Sequence, residues 1–138
     1  MKKEFLTSLE NISLVVNELK KRVQNRDCIV LLKGDLASGK TTLVQEYVKS
    51  IGLKDLVNSP TFSIQVQYGE NIFHYDLYNK SLEDFIALGM LEEFEKSGIH
   101  FVEWGNSALE NILSDYGFDF LIINIDKKDD KRLYIINE

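Results

Sequence analysis

The stretch Cys28-Ile29-Val30-Leu31-Leu32-Lys33-Gly34-Asp35-Leu36-Ala37-Ser38-Gly39-Lys40-Thr41-Thr42 carries the reading of the fold. Its first five residues are a continuous apolar run, the pattern of a strand buried on both faces of a parallel sheet. A glycine-rich turn follows at once. From Lys40 onward Leu43, Val44, Tyr47, Val48 and Ile51 recur with helical period, up to Gly52, a residue suited to ending a helix. Strand, glycine-rich loop and helix occur in the order of a phosphate-binding loop, and Gly34, Gly39, Lys40 and Thr41 meet the spacing G-x-x-x-x-G-K-[ST].

Each residue type in that pattern has a mechanical reason. The glycines let backbone N–H groups from Gly34, Asp35, Leu36, Ala37, Ser38 and Gly39 turn inward around phosphate oxygens, while the following helix presents its positive end. Lys40 is placed to reach the β- and γ-phosphates and the Thr41 hydroxyl to ligate Mg²⁺, with Thr42 a first-turn residue near the α-phosphate. A turn that merely joins strand to helix is the plainer alternative; the four fixed positions and both flanking elements argue against it.

Outward from this unit, Thr7-Ser8-Leu9-Glu10 has capping-box spacing, and Leu9, Ile12, Val15, Val16, Leu19 and Val23 follow at helical intervals, which predicts an amphipathic helix starting there. Asn58-Ser59-Pro60-Thr61 reads as a loop around the sole proline. Phe62 to Tyr68 and Ile72 to Asp76, separated by Gly69-Glu70-Asn71, read as a hairpin. Ser81 opens one or two short helices reaching Gly98. Ile99 to Glu103 is a second buried strand, a helix spans about Ser107 to Leu113, and Phe118 to Ile125 with Leu133 to Ile136 form a final pair. The predicted class is α/β: a single P-loop NTPase-like three-layer domain over residues 1–138 with a mixed β-sheet.

Composition bounds the function. A chain of 138 residues with 44% hydrophobic and 28% charged residues has the make-up of one globular domain. No segment approaches the roughly 20 apolar residues needed to cross a bilayer. The lone cysteine, Cys28, lies in an apolar run and reads as a buried thiol. A soluble cytoplasmic protein is therefore expected. A formal net charge of −6 argues against this domain gripping a nucleic-acid backbone by itself.

A triphosphate site needs an acid at the end of a neighbouring strand to hold Mg²⁺ or its water shell, and often a group that orients the attacking water. Glu103, at the carboxyl end of a predicted buried strand, and Asp76, in His74-Tyr75-Asp76-Leu77-Tyr78, are the candidates. The plainer reading of both is a solvated strand-end acid. His74 would share a strand face with Asp76 and be either an orienting partner or, the favoured reading, a packed histidine. A metal site built from His74 and His100 is not expected, since no further ligand stands at suitable spacing. Trp104 could stack on a base or a partner, or pack in the core. Thr61 has the place of a switch threonine near Mg²⁺ or the γ-phosphate, or is an ordinary turn hydroxyl. No Asn-Lys-x-Asp guanine-reading motif occurs, so ATP is the expected nucleotide.

Four blocks in order, Gly34-Asp35-Leu36 leading into Gly39-Lys40-Thr41-Thr42, Ser59-Pro60-Thr61-Phe62, His74-Tyr75-Asp76-Leu77-Tyr78 and Glu103-Trp104-Gly105, resemble the bacterial TsaE (YjeE) family. The resemblance implies an ATPase subunit of the machinery that makes N6-threonylcarbamoyladenosine next to the anticodon of tRNA. That subunit works with TsaD, which performs the transfer, and TsaB, which pairs with TsaD. It hydrolyses ATP poorly alone, and hydrolysis resets the complex. tRNA would be met only through that complex. By position the resemblance makes Lys40 and Thr41 the phosphate and Mg²⁺ residues, Glu103 the metal-holding or catalytic acid, Asp76 its partner and Thr61 a γ-phosphate neighbour. The chain departs from the family's usual pattern at Ala37, where glycine is usual, and at Asn79, where arginine is usual. After the loop the only arginine is Arg132, a shortage that fits slow unaided hydrolysis, since an arginine finger is worth about 10³ to 10⁵ in rate. A free-standing small-molecule P-loop kinase and a non-hydrolysing nucleotide-responsive scaffold are the other readings.

Overall fold

A computed structural model describes residues 2–35, 39–53 and 65–138. Leu36, Ala37, Ser38 and Thr61, with the rest of the Ser59–Phe62 block, lie outside the described residues. The apolar run at Cys28 is strand β2 (Cys28–Lys33), with its first five residues all buried. It lies inside a seven-stranded sheet of order β1-β7-β6-β2-β5-β4-β3. The remaining strands are β1 (Lys3–Thr7), β3 (Gln65–Tyr68), β4 (Ile72–Asp76), β5 (Ile99–Glu103), β6 (Phe120–Lys128) and β7 (Lys131–Asn137). β2 pairs in parallel with β5 and β6, and β5 with β4, while β3, β7 and β1 add antiparallel pairings toward the edges. The mixed sheet expected from the sequence is present.

Period-2 alternation along the central strands sends side chains to two faces, and a helical layer covers each. On one face Val30, Leu32, Phe101 and Ile123 pack beneath helices α1 (Ser13–Val23) and α2 (Lys40–Ser50). On the other, Ile29, Leu31, Tyr75 and Val102 meet Phe85 of α3 (Leu82–Ala87), residues around α4 (Met90–Glu93), and Leu109 and Leu113 of α5 (Ser107–Asp115). Ser81 and Asn106 cap α3 and α5 by accepting from the backbone N–H of Asp84 and Leu109. Helix α2 ends as its sequence implies: Gly52 is left-handed at φ 86°, and its N–H reaches the Lys49 carbonyl. Burial pushes the Cys28 thiol up to about 12, so it is an inert core group.

The N-terminus differs from its prediction. Residues Lys3–Thr7 form a strand, Leu9–Asn11 a short 3₁₀ turn, and the α-helix starts only at Ser13. The Ser8 side chain makes no capping bond and Leu9 is 63% exposed, outside the buried row that starts at Ile12. The reason is non-local: β1 is held by β7, in register from Lys3 opposite Ile136 to Thr7 opposite Arg132. β6 and β7 also run longer than their apolar cores suggest, because Lys127 opposite Arg132 and Lys128 opposite Lys131 extend the ladder to the turn.

Gly98 is the tightest joint in the sheet. Its φ is 132°, its N–H donates to Asp27 Oδ1, its carbonyl accepts from Cys28 N, and a Cβ there would lie 2.1 Å from the Asn71 carbonyl oxygen. That carbonyl already accepts from Ile99 N, so it is fixed where β4 and β5 begin to pair. Gly98→Ala is expected to lower stability by about 2–5 kcal/mol, from a strained φ plus a backbone collision. Gly52→Ala, equally left-handed but with nothing within 4 Å, should lose about 1 kcal/mol. Urea unfolding of the two variants checks this; equal losses would show that the Asn71 contact carries no cost.

Candidate phosphate site

The carboxyl ends of β2, β5 and β4 lie side by side, Leu32 opposite Glu103 and Glu103 opposite Asp76. This is the edge at which open α/β sheets place ligands, and here the chain leaves β2 for the glycine-rich loop. Gly39 sits at φ 106°, a conformation glycine adopts without a Cβ penalty, and immediately precedes α2. Lys40, the first residue of α2, is only 5% exposed. Its Nζ donates to the carbonyls of Gly34 at 2.6 Å and Asp35 at 3.0 Å and lies 4.1 Å from the centroid of the Trp104 ring. Burial holds this ammonium below the usual lysine value, opposed by the charges of Glu103, Asp76 and Asp35.

Glu103 is 3% exposed, so its carboxylate must find donors inside the protein. Two converge on one oxygen: the Thr41 hydroxyl donates to Oε2 at 2.9 Å and His74 Nε2 lies 2.5 Å from the same atom. Strand, helix and neighbouring strand are therefore joined through one carboxylate. Asp76 stands beside it on β4, half-buried, its Oδ1 accepting from Tyr78 N at 2.9 Å in an Asx turn. Thr42 is half-buried in the first turn of α2.

The donor set fits Mg²⁺. The Thr41 hydroxyl and the carboxylates at the strand ends are hard oxygen ligands, and Mg²⁺ is normally held by one or two carboxylates plus substrate phosphates. Among the described residues no group of three or more His, Cys, Asp or Glu converges. His74 and His100 stand on opposite faces of the sheet. His100 is in register with Phe73, its Nδ1 accepting from the Tyr75 hydroxyl at 2.7 Å and its Nε2 donating to the Lys96 carbonyl at 2.8 Å. Burial pushes that ring's proton affinity down, and it stays a neutral structural link.

Three features were left open by the sequence or not seen in it. His74, favoured there as a packing residue, is fully buried and also bonded to Glu103; its spacing from Asp76 was the only signal. Trp104 neither joins the fully buried core nor lies free. Its backbone is left-handed at φ 65°, uncommon for a bulky side chain, and its ring rests between Lys40 Nζ and Tyr78. Arg132, remote in the chain, has its Nε 3.9 Å from where a Cβ on Gly39 would be, because the β6–β7 hairpin runs past the loop end of β2. Asn79 also sits at φ 57°, a conformation asparagine tolerates better than most residues.

Residues 6–134 match the family model described as Threonylcarbamoyl adenosine biosynthesis protein TsaE. Two proteins named tRNA threonylcarbamoyladenosine biosynthesis protein TsaE illustrate the likeness. That of Haemophilus influenzae is 34% identical over 108 residues, 75% of this chain and 66% of that protein. That of Bacillus subtilis is 33% identical over 87 residues, 61% and 54% respectively. The chain thus spans between about half and two thirds of the length of these relatives. The crystal structure of Bacillus subtilis YdiB superposes with a TM-score of 0.67 at 22% identity, covering 99% of this chain and 84% of that one, and shares the fold. No helix among the described residues is long and apolar enough to cross a membrane. With the family pattern extending over residues 6–134 and relatives above 30% identity, this chain belongs to the TsaE family.

Proposed function

We propose that the chain is a Mg²⁺-dependent ATPase of tRNA N6-threonylcarbamoyladenosine biosynthesis, acting with TsaD and TsaB and weak on its own. The observation that carries this reading is the single cluster of Lys40, Thr41 and Glu103 at the end of β2, with the family membership supplying the pathway. Lys40 is held in the cradle by two carbonyls, neutral acceptors that a phosphate oxygen can replace with a stronger, charge-assisted bond. Its partial desolvation makes the exchange for an anion more favourable still. Thr41 and Glu103 would hold the metal, whose contribution is to neutralise charge on the β- and γ-phosphates. Glu103, with Asp76 at its side, would also orient the attacking water.

The fold qualifies one argument for partner dependence. Arg132 lies beside the loop, so the chain is not without a guanidinium there. The reading of slow unaided turnover rests instead on the family, and the net charge of −6 supports leaving tRNA to a more basic partner.

Phosphate release measured alone and with TsaD and TsaB tests the reading. Stimulation by the partners is expected, and an unchanged rate would overturn partner dependence. Lys40→Ala should abolish ATP affinity. Glu103→Ala at saturating Mg²⁺ should keep ATP affinity but lower turnover by about 10²-fold; undiminished hydrolysis would remove Glu103 from the reaction.

A further inference from the structure

The two buried histidines are placed differently. His100 has both ring nitrogens satisfied by structural groups, Tyr75 and the Lys96 carbonyl. His74 is fully buried and its Nδ1 has no hydrogen-bond partner among the described residues. Leaving a buried polar atom unpaired costs about 1–3 kcal/mol, so an imidazole retained only for packing would be better replaced by an apolar ring. The other nitrogen supplies the compensation: Nε2 meets the Glu103 oxygen that also accepts from Thr41. The sheet register makes His74 and Glu103 diagonal neighbours. His74 is paired with Phe101 and Asp76 with Glu103, so His74 reaches diagonally across one pleat to Glu103 on the same face.

We propose that His74 is a positioning residue of the nucleotide site. Its Nε2–H pins one oxygen of Glu103 against Thr41 and leaves the carboxylate's remaining lone pairs for the metal and its water shell. The inference rests on the reading of this cluster as a Mg²⁺–nucleotide site. The role is that of an outer-shell partner, which sets a ligand's orientation without touching the metal and whose loss typically costs about 10–100-fold in metal affinity.

Two substitutions separate positioning from packing. His74→Phe fills the ring volume without a donor; His74→Gln restores an N–H about as far from the backbone as Nε2. Mg²⁺ affinity of the ADP-saturated protein is measured by calorimetric titration, and ADP affinity separately in EDTA. His74→Phe is expected to weaken Mg²⁺ by about tenfold or more while leaving metal-free ADP affinity unchanged, and His74→Gln to recover most of the loss. A folded His74→Phe protein with unaltered Mg²⁺ affinity would overturn the proposal, as would a His74→Gln protein no better than it. Should His74→Phe not fold, nitrogen NMR of the nucleotide-free protein decides: the His74 Nε2–H resonance is expected to be protected and to shift in Glu103→Gln, and an unmoved resonance would overturn the bond. Failure of the unmodified chain to bind ADP would instead sink the reading of the site itself, so the two failures are distinct.

Discussion

Glu103 must keep a carboxylate at the end of a central strand where 3% of the residue meets solvent. A charge so placed is costly unless hydrogen-bonded, and the donors it recruits are Thr41 from the first turn of α2, which follows the glycine-rich loop, and His74 from β4, the strand beside β5. The same bonds that make the charge tolerable fix the helix start against the sheet. Leu32, Glu103 and Asp76 stand abreast in register, and the first turn of α2 brings the Thr41 hydroxyl to the acid. Structural and chemical demands on the carboxylate thus coincide.

Lys40 carries the complementary constraint. Its ammonium is bonded to Gly34 and Asp35 carbonyls and covered by the Trp104 ring. Cation–π contact of this kind contributes about 0.5–2 kcal/mol, and the left-handed backbone at Trp104 opposes it by a comparable amount. An uncommon conformation persists only when its surroundings over-determine it. Here the fixing contacts are Tyr78 and Lys40 on the ring, and Gly105, whose missing Cβ would stand 3.2 Å from Leu109. The turn after β5 is therefore shaped by the lysine and by α5 together.

What the sequence disclosed was what is local. Cys28 to Gly52 carries its own signals: an apolar run, loop spacing, helical period and a terminating glycine. The fold reproduces the strand, the helix and its terminating glycine. Glu103 was legible because a buried strand ending in an acid before Trp-Gly is a contiguous pattern. β1 was not, because Lys3–Thr7 is a strand only through β7, at the far end of the chain, while its neighbour Thr7-Ser8-Leu9-Glu10 imitates a helix cap whose side-chain bond is not made. His74 lay between these cases. Its face could be read from its spacing to Asp76, but whether its nitrogen met an acid or an apolar wall depended on β4 and β5 being parallel neighbours in one particular register.

Arg132 shows how counting residues can mislead where topology decides. By number, one arginine after the loop looks like a deficiency. By position, β6 runs parallel to β2 and overshoots it, so the antiparallel return through β7 starts beyond the loop end of the sheet and brings the guanidinium beside Gly39. Arg132 adds one positive charge beside Gly39, whereas a polynucleotide presents a charge at each phosphate and demands a distributed basic surface. With Asp and Glu exceeding Lys and Arg by 22 to 16, the chain as a whole carries no such surplus of positive charge.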